Sequence, residues 1–222
     1  MSLSSVLDGP TKTTPMLQQT APVVFVVDDD VSVRESLELL IGSMGWEAQT
    51  FGSATDFLGH PRAASPSCLV LDVGLPDLNG LDLQRLVGDR RDMPIIFITG
   101  YGDVPTTVRA MKAGAVEFLT KPFAEDVLLA AISDALERSR TAVEQEGELH
   151  SIREAHASLS TREREVMALV VSGLMNKQIG GELGISEITV KAHRGQVMRK
   201  MHARSLADLV TIAAKLRESS SQ

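Results

Sequence analysis

Three short runs of nearly uninterrupted apolar residues mark the first half of the chain. They are rich in Val, Ile and Leu, and they span residues 23–27, 68–73 and 94–99. Such runs, without polar alternation, are typical of strands that are covered on both faces in a parallel sheet. Two weaker runs, at 47–51 and 117–120, predict two further strands.

Segments with the helical period of apolar residues lie between and after these strands. They cover residues 31–44, 54–58, 81–88, 105–113 and 125–136. Pro105 supports the fourth helix, because proline fits a first helical turn, where its missing N–H costs nothing. Five strand–helix repeats predict a doubly wound α/β domain with a parallel sheet, which we place at residues 22–138.

The last third of the chain has helical periodicity only. Its four predicted helices cover residues 161–172, 177–183, 187–201 and 206–215. Gly173 and Gly184 follow two of these segments, where helices commonly end. The pattern therefore predicts an all-α four-helix domain over residues 157–222.

Two segments lie outside these predicted domains. Residues 1–21 are rich in Ser, Thr, Pro and Gln with little apolar periodicity, and we expect a disordered leader there. Residues 139–156 are charged and free of proline, so they predict a helical linker that continues the fifth helix of the first domain. Gly147 lowers the helical propensity of this linker near its middle.

Composition narrows the class of protein. Apolar residues make up 43% of the chain, which is enough for a core and excludes global disorder. No window has the ~18 consecutive apolar residues of a membrane span, and the N-terminus lacks the pattern of a signal peptide. Cys68 is the single cysteine, so no disulfide framework is expected and a buried apolar role is favoured. We therefore expect a cytoplasmic protein without a membrane partner.

The net charge of −7 conceals two oppositely charged halves. Residues 21–136 hold 8 Lys and Arg against 17 Asp and Glu, a net charge of −9. Residues 158–222 hold 10 against 6, a net charge of +4. An acidic domain joined to a basic one indicates two different partners, and the basic one suits nucleic acid.

Polar side chains occupy the ends of the predicted strands. In strand order they are Asp28, Asp29 and Asp30, then Asp72, Thr99 and Lys121. Ligands of open α/β sheets bind beyond the carboxyl ends of the strands. If the first and third strands are neighbours, several carboxylates crowd together, and their repulsion requires a cation. A hard divalent ion with oxygen ligands, above all Mg²⁺, meets that need.

The same residues suit phosphoryl chemistry. Asp72 has the features of a carboxylate nucleophile, Lys121 can pair with phosphoryl oxygens, and Thr99 can donate a hydrogen bond to one. Taken singly, acidic loop residues are more often turn formers or helix caps, and a lone lysine is more often a surface residue. Their placement on successive strand ends of one sheet favours a functional site.

Four ordered motifs resemble the receiver domain of two-component response regulators over residues 23–138. They are VVDDD, CLVLDVGLPDLNG, IIFITGYGD and AVEFLTKPF. Gly100, Gly102 and Asp103, which follow Thr99, resemble the FixJ branch of this family in particular. The resemblance implies that a partner histidine kinase donates a phosphoryl group to Asp72.

The same resemblance implies roles for the other residues of the site. Asp29 and Asp72 would hold Mg²⁺ directly, the Gly74 carbonyl would be a third ligand, and Asp28 would act through water. The phosphoryl-binding and switch residues would be Thr99, Lys121 and Phe118. From the sequence itself, Phe118 is equally compatible with a core aromatic residue.

Residues 177–201 have the outline of a helix, a tight turn and a second helix. Gly184 lies at the bend, and Ser186 is placed to cap the second helix. The expected core residues are Ile179, Leu183, Ile185, Val190, Val197 and Met201. At about 100° per residue, the opposite face of the second helix carries Lys191, Ala192, Gly195 and Arg199.

Small residues beside cations allow a helix to enter a major groove, and residues at its margins meet phosphates. The candidate DNA-contacting residues are Lys177, Thr189, Lys191, His193, Arg194 and Arg199. A basic helix face is more often a solvated surface, and a helix pair can also serve dimerisation. The local charge of +4 favours DNA.

One long segment resembles the DNA-binding domain of the NarL/FixJ subfamily, the LuxR-type helix-turn-helix, over about residues 157–220. It reads LSTREREVMALVVSGLMNKQIGGELGISEITVKAHRGQVMRKM. Gly195 departs from relatives that carry a longer, base-contacting side chain there, so their target sequence is not carried over. The resemblance implies a transcription factor that binds double-stranded promoter DNA, with RNA polymerase as an expected partner.

The two predicted domains suggest a phosphorylation switch. A phosphoryl group on Asp72 would draw Thr99 and Lys121 inward and let Phe118 move. The face of the fourth helix, fifth strand and fifth helix would then form a homodimer, or release the DNA-binding domain, or both.

Two other classes of protein remain as alternatives. A phosphatase-like enzyme is disfavoured, because the sequence after Asp72 lacks a second aspartate for acid–base catalysis, and at most slow self-dephosphorylation is expected. A phosphorylation-independent DNA-binding regulator is disfavoured by the complete acidic site.

Overall fold

The structure, a computed structural model, describes residues 21–63 and 65–219. The predicted leader therefore lies outside the described residues, apart from Ala21. The chain divides into two compact units between Arg140 and Thr141.

A five-stranded parallel sheet forms the centre of the first unit. Its strands are β1 (Val23–Val27), β2 (Glu47–Phe51), β3 (Ser67–Asp72), β4 (Ile95–Thr99) and β5 (Glu117–Thr120). Their order is β2-β1-β3-β4-β5, and every neighbouring pair is parallel. All residues of β1, β3 and β4 are buried, whereas the edge strands are partly exposed, which explains why the edge strands have weaker apolar runs.

Five helices cover the two faces of this sheet. They are α1 (Val31–Ser43), α2 (Ala54–Leu58), α3 (Gly80–Leu86), α4 (Val104–Lys112) and α5 (Glu125–Ala157). On one face of the sheet, the strand residues pack in a core cluster with Phe57 of α2, Leu83 of α3 and Ala110 of α4. On the opposite face, the alternating residues of the strands pack in a second cluster with Leu37 of α1 and Leu128 of α5. Helices on both faces of a parallel sheet confirm the predicted doubly wound fold.

The fifth helix is longer than the 12 residues that the apolar periodicity predicted for the domain itself. α5 runs unbroken for 33 residues and includes the predicted linker. Gly147 does not interrupt it, and a β-carbon at that position would meet no atom within 4 Å. Although α5 is long, no helix in the described part of the chain is apolar enough to cross a bilayer.

The second unit begins within α5, at Thr141, and contains four further helices: α6 (Thr161–Val171), α7 (Asn176–Leu183), α8 (Glu187–Lys200) and α9 (Leu206–Glu218). Their core includes Leu159, Val166, Ile179, Val190, Val197, Met201 and Leu209. Gly184 ends α7 with a left-handed φ of 66°, a conformation that glycine adopts without strain. The Ser186 side chain then caps α8 by accepting from the Thr189 amide. The predicted helix-turn-helix is therefore confirmed.

An ion pair in the second unit joins the first turn of α6 to the last turn of α8. The Lys200 ammonium donates to Glu163 Oε2 at 2.7 Å, and the Ser160 amide donates to the same oxygen at 2.7 Å. These two interactions lower the pKa of Glu163 to about 2. Glu163 therefore stays ionised at neutral pH and fixes the two helices against each other.

Candidate functional site

An acidic cluster lies at the carboxyl edge of the sheet. β1 and β3 are neighbours, with Val27 paired to Leu71, so the residues that follow this pair lie side by side. One carboxylate oxygen from each of Asp28, Asp29 and Asp72 lies within 4.8 Å of the other two. Asp28 and Asp72 are buried, and Asp29 is exposed. The structure thus brings together the three carboxylates that the strand ends indicated.

Lys121 extends from the end of β5 into this cluster. Its Nζ lies 2.6 Å from Asp28 Oδ2 and 3.7 Å from Asp72 Oδ1. One ammonium thus faces three carboxylates, and the cluster keeps a net negative charge. Asp72 Oδ1 is buried and receives no hydrogen bond from the described part of the chain. A buried anionic oxygen without a donor is costly unless a ligand completes it.

The electrostatics of Asp72 point the same way. Burial raises the pKa of this carboxyl above its ordinary value, and the negative charges of Asp28 and Asp29 raise it further. Lys121 and the Gly74 amide oppose that shift. A divalent cation would favour the ionised form, and three clustered carboxylates are the hard oxygen donors that Mg²⁺ prefers. The residues present therefore fit such an ion.

Two predicted switch residues, Thr99 and Phe118, make contacts with other residues than the acidic cluster. Thr99 ends β4, and its hydroxyl accepts from the Tyr101 amide at 3.2 Å and donates to the Tyr101 carbonyl at 3.3 Å. Phe118 in β5 is half-buried, with its ring 6.0 Å from that of Phe97. The Thr99 hydroxyl is thus bonded within its own loop, the Phe118 ring packs near β4, and the switch roles predicted for both residues remain predictions.

Three residues that shape the pocket escaped the sequence analysis. Arg34 of α1 donates to the Asp28 carbonyl at 2.6 Å and holds the end of β1. A β-carbon on Gly80 would collide with the backbone of Asp72, so glycine lets α3 begin directly against β3. A β-carbon on Gly102 would lie 2.5 Å from Thr120 Cγ2, so glycine allows the loop after β4 to lie this close to β5. Only tertiary contacts reveal these roles.

Asp77 is a fourth such residue. In the loop after β3, its carboxylate accepts from the Ala54 and Thr55 amides and from the Thr55 hydroxyl, which lie at the start of α2. The bonds from Thr55 lower the pKa of Asp77 to about 2. Asp77 thus ties the loop that carries Gly74 to a neighbouring helix. Its position before Asn-Gly looks like an ordinary turn in the sequence.

The second unit carries a separate basic surface on α8. Val190 and Val197 are buried on one side of this helix. The opposite side exposes Lys191, Ala192, Gly195 and Arg199, as the helical period predicted. The Lys191 ammonium lies 3.3 Å from Glu187, an exposed pair that water and other partners can replace.

The other predicted DNA-contacting residues lie off the centre of this face. Thr189 is half-buried, and its hydroxyl is 2.8 Å from that of Ser186. His193 and Arg194 are half-buried, and Arg194 donates to Asn176 Oδ1 at 2.5 Å, which links α8 to the start of α7. Lys177, in the first turn of α7, is exposed.

A parallel sheet with an acidic pocket at its carboxyl edge, carried in one chain with a helix-turn-helix unit, defines the class of DNA-binding response regulators. Family models support this class. The response regulator receiver domain matches residues 24–133, and the model for bacterial regulatory proteins of the luxR family matches residues 157–213. The chain therefore belongs to the response regulators with a LuxR-family DNA-binding domain.

Curated relatives resemble the chain over most of its length. Nodulation protein W of Bradyrhizobium diazoefficiens is 52% identical over 198 residues, which cover 89% of this chain and 87% of the relative. Response regulator protein TodT of Pseudomonas putida is 43% identical over 204 residues, which cover 91% of this chain and 90% of TodT. Transcriptional regulatory protein FixJ of B. diazoefficiens is 42% identical over 193 residues, which cover 86% of this chain and 94% of FixJ.

Solved structures agree with the fold. The response regulator StyR is 48% identical, with a TM-score of 0.80 over 88% of this chain and 100% of StyR. Full-length FixJ from B. japonicum is 40% identical, with a TM-score of 0.50 over 88% of this chain and 97% of FixJ. The FixJ structure is of the full-length protein, and both matches extend over 88% of this chain, which supports the same two-part organisation here.

Proposed function

We propose that Asp72 accepts a phosphoryl group from a phosphohistidine of a sensor histidine kinase, and that this reaction controls transcription. An Asp72 carboxylate oxygen attacks phosphorus, an O–P bond forms, the P–N bond breaks, and the imidazole leaves. Asp72 Oδ1 supports this role, because it is buried, receives no hydrogen bond from the residues that the structure describes, and lies 3.7 Å from the Lys121 ammonium.

We propose that Mg²⁺ is bound by Asp29, Asp72 and the Gly74 carbonyl, with Asp28 acting through water. The ion would neutralise charge on the phosphoryl oxygens as they approach the carboxylates. Asp28 is fully buried and bonded to Lys121 at 2.6 Å, which supports an indirect role for it. Asp29 is exposed and has a carboxylate oxygen within 4.8 Å of one from Asp28 and one from Asp72, which supports a direct role for it.

The phosphoryl group would add roughly two negative charges to the pocket. Lys121 would then pair with it, and the Thr99 hydroxyl would exchange the Tyr101 backbone for a phosphoryl oxygen. A β-carbon on Gly102, in the loop that follows Thr99, would lie 3.5 Å from the Phe118 ring, so a shift of this loop would move that ring. Moving a rare active state to dominance takes about 5 kcal/mol, which one well-bound phosphoryl group can supply.

The surface that would respond is the face of α4, β5 and α5. Exposed apolar side chains lie along α4 and the loop before it: Tyr101, Val104, Val108 and Met111. Tyr101 is 94% exposed although its backbone is bonded to Thr99. An apolar stripe attached directly to the switch residue supports the proposal that phosphorylation produces a homodimer through this face.

In the second unit, α8 would enter the major groove, and a dimer would place two such helices about one helical turn apart. We assign residues 22–138 to the receiver, 139–156 to the linker and 157–222 to the DNA-binding domain, which the two family matches support. The regulator would act in the bacterial cytoplasm with RNA polymerase at its promoters. Slow self-dephosphorylation would be its only hydrolytic activity.

Selection of DNA from a random duplex library tests this function. The full chain is incubated with Mg²⁺, with or without acetyl phosphate, and the bound duplexes are enriched and sequenced. We expect one palindromic site, bound at least tenfold more tightly with the phosphodonor. Equal affinity in both conditions would favour a phosphorylation-independent regulator instead.

The basic face of α8 gives a prediction for the same duplex. Lys191→Ala and Arg199→Ala should each weaken binding and lower the slope of log affinity against log salt concentration by about one, because each removes a cation that displaces a counterion. Lys215→Ala is the matched control, since Lys215 lies on α9 and pairs with Glu148 at 2.6 Å. An unchanged salt slope in both α8 variants would contradict the proposed docking.

A further inference from the structure

The centre of the exposed face of α8 is apolar although the helix is basic. Ile188, Ala192 and Gly195 lie at helical spacing along this face, and all three are exposed. Ile188 is 80% exposed, which leaves most of a large apolar side chain in water in the free protein. Lys191 lies beside this apolar strip, and Arg199 follows Gly195 by about one turn on the same face. The strip occupies the part of α8 that would face the floor of a major groove.

We propose that Ile188 determines target specificity by packing against the 5-methyl group of a thymine. The inference rests on the proposed function, in which α8 enters the major groove. An isoleucine side chain has no donor or acceptor, so it cannot read the nitrogen and oxygen atoms of base edges. The thymine methyl is the apolar group that a base pair presents in the major groove, and it distinguishes thymine from cytosine.

The two smaller residues of the strip permit the close approach that this contact needs. A β-carbon on Gly195 would meet no atom within 4 Å, so packing within the protein does not require glycine there. Glycine inside a helix costs about 1 kcal/mol relative to alanine. The open surface at Gly195 and the single methyl of Ala192 leave the backbone of α8 accessible to base edges next to Ile188.

Several polar side chains near this strip are already engaged in the protein. Arg194 donates to Asn176, and the Thr189 hydroxyl is bonded to Ser186. Lys191, beside the strip, and Arg199, about one turn beyond Gly195, can reach phosphates or guanines. Ile188 is therefore well placed for readout by shape and methyl contact.

Replacement of thymine by deoxyuridine tests the inference, because it removes only the methyl group. Each thymine of the duplex selected from the random library is replaced in turn, and affinity for the phosphorylated full chain is measured. We expect one thymine per half-site whose replacement weakens binding roughly fourfold or more. In Ile188→Ala, binding to the unmodified duplex should weaken, and the same replacement should have no further effect.

Leu206→Ala is the matched control, because Leu206 is an exposed apolar residue at the start of α9 in the same unit. It should retain the full dependence on the thymine methyl. Thermal unfolding of Ile188→Ala should match the wild type, since the side chain is exposed. The inference is overturned if deoxyuridine can replace each thymine in turn without changing the affinity of the wild type. It is also overturned if the replacement weakens binding of Ile188→Ala as much as that of the wild type. Failure to select any duplex would instead refute the proposed function and this inference with it.

Discussion

Asp72→Asn is expected to abolish phosphorylation of the full chain by acetyl phosphate and Mg²⁺. The amide of asparagine is neutral and does not act as a carboxylate nucleophile. The other two carboxylates of the cluster do not replace Asp72, because Asp28 is paired with Lys121 at 2.6 Å and Asp29 is exposed. Intact mass, measured before and after treatment, should show one added phosphoryl group in the wild type and none in the variant. Dimerisation on treatment should disappear with it.

Asp82→Asn provides the matched control for this experiment. Asp82 lies on α3, is exposed, and pairs with Arg85 at 2.8 Å, so the same chemical change there leaves the pocket intact. Its phosphorylation should equal that of the wild type. The asparagine at position 72 should not unfold the receiver, since it removes one charge from a repulsive cluster. A phosphoryl group on Asp72→Asn would show that another residue is the acceptor.

Lys121→Met is expected to destabilise the first unit by about 2 kcal/mol in EDTA, and Mg²⁺ should restore much of that loss. Asp28 is fully buried and depends on the Lys121 ammonium at 2.6 Å, so the variant leaves a buried charge without its partner. Breaking a buried pair costs ~3–5 kcal/mol, and the 24% exposure of the Lys121 side chain reduces that figure here. Urea unfolding followed by the fluorescence of Trp46, the single tryptophan, reports on this unit.

Lys112→Met controls for the loss of one positive charge. Lys112 is an exposed residue in the last turn of α4, so its replacement should change stability little, with or without Mg²⁺. If Lys121→Met and Lys112→Met unfold at the same urea concentration in EDTA, the pair between Lys121 and Asp28 does not stabilise the receiver. If Mg²⁺ has no effect on Lys121→Met, the three carboxylates do not bind the ion.

The strands and helices could be predicted from the sequence because their signals are local. β1 and α2 begin and end where the apolar pattern predicted, and α1 and α8 end one residue earlier than predicted. The helical linker that the sequence predicted as a continuation of the fifth helix is confirmed, since α5 continues through Gly147 to Ala157. The low helical propensity of glycine does not break the helix there.

The sequence by itself determined that acidic residues end the first and third strands and that a basic helix follows a tight turn. Both conclusions depend on residue type and on spacing over a few positions. Only the tertiary structure decided that β1 lies beside β3, and this pairing places Asp28 and Asp72 in the same cluster. It also decided that Thr99 is bonded to Tyr101 and Arg194 to Asn176. The pairing of strands and the choice among nearby hydrogen-bond partners depend on packing of the whole domain, which local periodicity does not encode.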